Sequence, residues 1–499
     1  MCEENPGSHT AKTGLSPGLR PDCFVNACSI QTDFSHHDGN KTRCQDRTGH
    51  SNRCNIVINM ATAPSVALRH FDTLYSKFLG RRWPSARLGL LSPKKHCLVA
   101  NSYLCPKERT GLEPWDEQPI DIAHYYKKHL RSYHKHLKRQ QQITTESSDT
   151  DVTNLDDSSD LSDGMSSAED LIQMFSDRRI DDDEKYFINK ASTRLTLNDY
   201  VPATELISRE TITSDLAYYE TYDPSLQLDI ERIVELPLQF SDQLKLYTFP
   251  RGSWSKFGEA KPVAGSIIFN HYLLDGGSIL PVLALDLQID DECADYCAAP
   301  GGKSLAMMMT MRPTLLLCND VSSSRLGKMY TIFRQYLPDV KYIRETLRLS
   351  NKNAVNLVMP DAFDKILVDV PCSNDRTSVE SVENNLFNRT RIEERLAIST
   401  RQCDILVSAL KSIRPNGSVV YSTCTMSPVE NDGVVQKALA RLQIESHHAR
   451  YAVVSLREAF RPLRGLYKFD TNGEFGQLVL PSITSNFGPM YISKIKRLS

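Results

Sequence analysis

Three short stretches of this sequence hold residues able to do chemistry together: CADYCAAPGGKS at 293 to 304, DVPCS at 369 to 373 and STCTMS at 422 to 427. In the first, a short strand candidate runs into Pro300-Gly301-Gly302-Lys303 and then a helical segment. Small residues and glycines there let the backbone approach a ligand and turn amide groups toward its carboxylate. Asp320 ends the next strand candidate, the place of an acid that accepts hydrogen bonds from two ribose hydroxyls, so the loop reads as the cradle of a nucleoside-containing cofactor. Neither Gly-x-x-x-x-Gly-Lys-Ser/Thr nor Gly-x-Gly-x-x-Gly is present, which argues against a triphosphate or dinucleotide site. The bland alternative is a tight strand-helix turn with Asp320 as a helix cap.

The other two stretches each place a thiol just beyond an aliphatic run, Cys372 after Asp369-Val370-Pro371 and Cys424 after Ser422-Thr423. A single cysteine at a strand end is commonly a small buried hydrophobe. Two at one sheet edge, one beside a carboxylate, point to covalent chemistry, and a nearby Lys303 would favour thiolate over thiol.

The elements that must position these residues alternate. Strand candidates at 292–297, 314–319, 341–345, 365–370 and 417–422 are separated by helical patterns at 302–311, 323–336 and 391–413, with 428–442 after the last. Segments 477–480 and 490–494 read as closing strands, and 278–287 as a helix with Pro281 in its first turn. This alternation predicts an α/β fold with a doubly wound, Rossmann-like parallel sheet, whose ligands sit beyond the carboxyl ends of the strands.

Upstream, Val66, Leu68, Phe71, Leu74, Tyr75, Phe78 and Leu79 recur at helical spacing up to Trp83-Pro84, and 124–139 forms a second helical pattern. There, Tyr126, Leu130, Tyr133 and Leu137 lie along one side among basic residues, as in a solvated helix packed through its Tyr/Leu stripe or one lying on a phosphate backbone. Residues 66–143 therefore read as a helical N-terminal region. Residues 1–65 read as disordered. Their Cys23, Cys28, Cys44 and Cys54 with His36, His37 and His50 lack finger-like spacing, so no metal site is assigned. Between Thr144 and Asp170 stand nine acidic residues and no Lys or Arg, so 144–183 reads as an acidic disordered linker ahead of the catalytic domain at 184–499.

Composition narrows the partners. The 499 residues carry 59 Lys plus Arg against 61 Asp plus Glu, so no global basic field marks a nucleic-acid binder; that surface must be local or supplied by a partner. The odd count of thirteen cysteines shows no secreted disulfide framework, and no apolar run is long enough to cross a membrane. The chain reads as soluble and intracellular, with no membrane partner. Glu3, Glu4 and sparse arginines make the start unlike a mitochondrial presequence.

DYCAAPGGKS, LVDVPCSNDR and VVYSTCTMSPVEND together resemble the motifs of the NSUN family of RNA 5-methylcytosine methyltransferases. FDTLYSKFLGRRWPSARLGLLS, HYLLDGGSILPVLALDLQ and NFGPMYISKIKRLS resemble its mitochondrial small-subunit ribosomal RNA branch, over about 66–115 and 184–499. The resemblance implies S-adenosyl-L-methionine as cofactor, a Rossmann-like methyltransferase sheet, a ribosomal RNA substrate, mitochondrial location and a role in ribosome assembly. It implies a helical-repeat partner related to mitochondrial transcription termination factors. It makes Cys424 the nucleophile that adds to C6 of cytosine, Cys372 the aid to product release, Asp369 the residue that fixes the base, and Gly301, Gly302, Lys303, Asp320, Arg325 and Asp369 the cofactor-binding set. The family has an acidic residue and glycine after the third strand, at the cofactor's adenosine, whereas Arg344-Glu345-Thr346-Leu347-Arg348 holds no such pair. Either Glu345 makes that contact or adenosine is held differently. An assembly scaffold on the same fold, with methylation secondary or lost, is the alternative function.

Overall fold

The computed structural model describes residues 62–105, 117–146, 228–235, 237–445 and 449–499. The readings of the N-terminal segment, its Cys and His residues, and nearly all of the acidic linker lie outside them. In chain order the strands are β1 (His96–Ala100), β2 (Ile120–Asp121), β3 (Glu231–Val234), β4 (Leu246–Thr248), β5 (His271–Asp275), β6 (Glu292–Asp295), β7 (Leu315–Asn319), β8 (Leu347–Ser350), β9 (Phe363–Asp369), β10 (Ile413–Thr423), β11 (Tyr451–Ser455), β12 (Gln477–Val479) and β13 (Met490–Arg497).

The large sheet runs β3-β11-β13-β10-β9-β6-β7-β8, with β12 paired to β13. The five consecutive strands β10-β9-β6-β7-β8 are parallel, and β13 enters antiparallel between β10 and β11. Chain order reverses between β6 and β9, so the crevice beyond their carboxyl ends is the switch point where a doubly wound sheet holds its ligand. The expected α/β architecture is thus the one observed.

Each central strand is apolar on both faces because helices cover both. Leu367 and Val420 face one cluster with Cys293, Leu316 and Cys318, under the helices Ile279–Leu285, Gly302–Met309 and Ser323–Tyr336. Their neighbours Ile366, Val368, Val419 and Tyr421 face the other cluster, under Ile398–Leu410 and Asp432–Glu445. The N-terminal helix Ala63–Leu79 joins that second face through Ala67, Phe71, Leu74 and Tyr75.

Several elements differ from the sequence reading. The third strand is Leu347–Ser350; residues 341–346 form a helix instead. Ile343 and Thr346 are its buried positions, three apart, and Lys341 pairs with Glu345 four apart, which is helical spacing. The long pattern over 391–413 is two helices, Ile392–Leu396 and Ile398–Leu410. Trp83-Pro84 opens a further helix, Trp83–Leu90, because proline is accommodated in a first turn. The N-terminal region also holds β1 and β2, which join β4 and β5 in a second sheet of order β2-β4-β1-β5. Its strands are two to five residues long and distant in sequence, too little pattern to read locally. In the helix Ile122–Glu146, Tyr126 and Leu130 of the stripe pack on the core; Tyr126 Oη donates to Ala459 O at 3.0 Å and Tyr133 Oη to a Glu458 carboxylate oxygen at 2.9 Å.

Candidate active site

The cradle loop leaves β6 and turns at Gly301, whose φ of 106° lies in the left-handed region that glycine alone enters freely. A Cβ there would sit 2.7 Å from Met329 Cγ. Helix Gly302–Met309 follows at once, so its first free N–H groups face the crevice. Asp320, directly after β7, is buried behind the loop: its carboxylate accepts from Ala299 N at 3.3 Å and Ser322 N at 2.9 Å. Arg325 lies 3.3 Å from Asp320 and donates to Ala299 O.

From the first turn of that helix, Lys303 Nζ reaches Asp369 Oδ2 at 2.7 Å, while Ser422 Oγ donates to Asp369 Oδ1 at 2.8 Å. Burial would push the lysine toward its neutral form, but Asp369, with Cys424 and Asp295 nearby, raises its pKa on balance. The two thiols meet: Cys372 Sγ is 3.1 Å from Cys424 Sγ, and Cys424 N donates to Cys372 Sγ at 3.3 Å. The hydrogen bond to Cys424, then burial, push the Cys372 thiol well above the ordinary thiol range. Either sulfur can donate in that contact. Of the pair, Cys424 is the one that lines the cleft.

Gly302, Lys303, Asp369 and Cys424 line one open cleft of about 390 Å³, with Ala298, Ala299 and Pro300 along its floor. Cys372 touches it only through Cys424. Gly301, Asp320 and Arg325 stand behind, holding the loop rather than lining the cleft. The expected cofactor set is thereby split into a lining half and a supporting half.

Sequence reasoning missed the groups that hold the cysteines. Asp375 accepts from Thr425 Oγ1 and Met426 N, both at 2.7 Å, and its own N–H donates to Cys424 O. Glu430 accepts from Ser373 N at 2.9 Å and from Gln402 Nε2 at 3.0 Å. Burial pushes Asp375 up to about 7 and raises Glu430 as well. Arg376 donates to the carbonyls of Gly89, Leu90, Ser92 and Gly488, tying the Cys372 loop to the N-terminal helices. Tyr75 Oη lies 3.3 Å from Thr425 Oγ1. The signal was the acid two or three residues inside each polar run, SNDR and SPVEND. Asp295 was also overlooked: it ends β6, accepts from Ser304 Oγ at 2.6 Å, and burial raises it to about 7.

The third-strand question changes with the strand. The residues after β8 are Asn351-Lys352, not Glu345-Thr346, and Asn351 Nδ2 donates to Asp320 O at 2.7 Å. Glu345 lies in the preceding helix and pairs with Lys341, so it is not the residue that follows this strand.

The family described as 16S rRNA methyltransferase RsmB/F matches residues 282–462. The mouse 5-cytosine rRNA methyltransferase NSUN4 is 38% identical over 440 residues, 88% of this chain and 90% of that protein. The Caenorhabditis elegans 5-cytosine rRNA methyltransferase nsun-4 is 32% identical over 474 residues, 88% and 93% of the two chains. A zebrafish protein named tRNA (cytosine(34)-C(5))-methyltransferase, mitochondrial, is 38% identical over 233 residues, 46% of this chain and 61% of that one. Likeness of that depth over nine-tenths of the full-length relatives, on a sheet whose switch point carries the glycine loop and the paired thiols, makes this chain a member of the RsmB/F and NSUN family of S-adenosylmethionine-dependent RNA cytosine-5 methyltransferases.

Proposed function

We propose that this enzyme methylates C5 of a cytosine in mitochondrial small-subunit ribosomal RNA through a covalent adduct to Cys424, and that it supports assembly of that subunit. The observation that carries the reading is the contact of Cys424 with the protonated Cys372 in the same cleft as the Lys303–Asp369 pair.

The cradle fits the cofactor. Gly301 and Gly302 keep side chains out of the loop, the first turn of helix Gly302–Met309 offers N–H groups to a carboxylate, and Asp320 holds the loop from behind through Ala299 N. When bound, S-adenosylmethionine supplies an electrophilic methyl group. C5 of cytosine is a poor nucleophile until the Cys424 thiolate adds to C6, which makes C5 enamine-like. Asp369, anchored by Lys303 and Ser422, has lone pairs left to fix the base edge and stabilise the activated ring. After methylation the C5 proton leaves to water, the S–C6 bond breaks, and the electron pair returns to Cys424. Cys372 is placed to hydrogen-bond the departing sulfur. The base must be unstacked to reach Cys424, which costs a few kcal/mol and favours an unpaired target.

Relatives named as ribosomal RNA and mitochondrial enzymes, together with a net charge of −2, support the substrate, the compartment and a helical-repeat partner that supplies RNA-binding surface. The scaffold reading draws on Asn351-Lys352 standing where the family's acid and glycine are expected. A labelled-methyl assay with small-subunit RNA and the partner separates the two. Transfer by wild type and none by Cys424→Ala supports the enzyme; no transfer by either, with assembly intact, supports the scaffold.

A further inference from the structure

A second, narrower groove of about 110 Å³ opens beside the cleft, between the turn at 92–96, the loop after β4 and the segment around Ile483. Lys94 and His96 line both cavities, so the two adjoin. Its rim carries Trp254, 71% exposed, on a loop that is otherwise pinned. Gly252 N donates to Thr484 O at 2.7 Å, Lys95 Nζ to Pro250 O at 2.7 Å, and Ser255 N to Ser253 Oγ at 3.1 Å, while Phe249 and Phe257 stack beneath at 4.5 Å. An indole held on a fixed loop presents its face at little further cost in ordering.

The charge around it has one sign. Lys94 and Lys256 come from separate loops and both act on His96, lowering its pKa behind the larger effect of burial. Asp275 faces His96 from β5 in the opposite sense, and Glu117 sits under the loop, accepting from Ser253 and Ser255. Neither acid lines the groove, and neither Lys94 nor Lys256 is in an ion pair among the described residues. A slot this small is below the size of an ordinary small-molecule site and too narrow for a helix. It has the two parts of a single-strand site: an aromatic face for a base and cations for the phosphates on either side.

We propose that a nucleotide of single-stranded RNA next to the target cytosine lies across the mouth of this groove, its base against Trp254 and its phosphates on Lys94 and Lys256. The inference rests on the RNA reading of the central cleft and extends it outward, giving a chain with no global basic field a local RNA contact.

The test uses the full chain and an in vitro transcript of mitochondrial small-subunit ribosomal RNA, with equilibrium binding and methyl transfer measured separately. Trp254→Ala is expected to weaken RNA binding roughly tenfold, the loss of one base stack, with the change falling on KM far more than on kcat. Trp254→Phe should recover most of it. Replacing Lys94 and Lys256 together by alanine should flatten the dependence of log affinity on log salt by about 1.4, or about 0.7 for each phosphate no longer neutralised. S-adenosylhomocysteine binding should stay at the wild-type value in the two Trp254 variants, and the urea unfolding midpoint at the wild-type value in the double lysine variant, which excludes misfolding. RNA affinity within twofold of wild type for Trp254→Ala, with an unchanged salt slope, overturns the proposal and leaves the patch to a protein partner. If wild type binds the transcript without methylating it, the functional reading of the cleft fails while the affinity ratio still decides the groove. If wild type does not bind it even at low salt, where phosphate contacts are strongest, both fall.

Discussion

Lys303 is drawn two ways, since burial favours its neutral form while the Asp369 carboxylate at 2.7 Å, with Cys424 and Asp295 nearby, holds its proton on. The charged lysine orients the carboxylate. Lys303→Met keeps the length and removes the charge; kcat should fall by roughly 10², the scale of removing one electrostatic partner from a dry site. A steady-state assay on the RNA transcript checks this, and a loss confined to KM would contradict it. Asp295 gives a test of burial alone. Its pKa stands at about 7 in the folded chain against 3.8 for an unperturbed acid, with burial the main cause. Between those values the folded chain binds a proton that the unfolded chain does not. The stability this group contributes is therefore complete below about pH 4 and is lost as pH rises through 7. Asp295→Asn should remove that dependence, so urea unfolding at pH 5 and 7.5 should show the variant gaining on wild type as pH rises. Parallel profiles would contradict the burial account.

At the scale of elements, the turn at Gly301 joins β6 to helix Gly302–Met309 with a φ of 106°. Gly301→Ala forces a side chain into that backbone region and against Met329, a cost of about 1–3 kcal/mol. Denaturant unfolding should register that loss, and titration with S-adenosylhomocysteine should show weakened binding, because the loop must shift to relieve the clash. The parallel core was legible because its helices and strands alternate, and because strands buried on both faces are nearly continuous aliphatic runs, as KILVDV before Cys372 shows. The third strand was not. Leu347–Ser350 is an edge strand with two exposed positions, so it carries little apolar signal, while the helix before it borrowed the appearance of a strand. That displaced the search for an acid to Glu345, when the residues at issue are Asn351 and Lys352. The residues of the site that end strands were readable from position alone. Asp375, Glu430 and Arg376 were not, because each acts on a loop whose partner lies fifty or more residues away.

For the whole molecule, the acidic and basic residues nearly cancel, and the chemistry sits in one cleft between the large sheet and the second one. Such a chain should hold its substrate RNA weakly at physiological salt and gain affinity when a basic partner is added. Filter binding at two salt concentrations, with and without that partner, measures the difference. Tight, salt-insensitive binding by the isolated chain would remove the need for a partner. The proposed reaction turns on which sulfur attacks, and Cys424, which lines the cleft where Cys372 does not, is the one proposed. The most direct measurement is denaturing electrophoresis of each cysteine variant after incubation with S-adenosylmethionine and labelled small-subunit RNA. Cys372→Ala should accumulate a covalent protein–RNA adduct that wild type clears, and Cys424→Ala should form none. An adduct in Cys424→Ala, or its absence from Cys372→Ala despite methyl transfer to the RNA, would contradict the assignment.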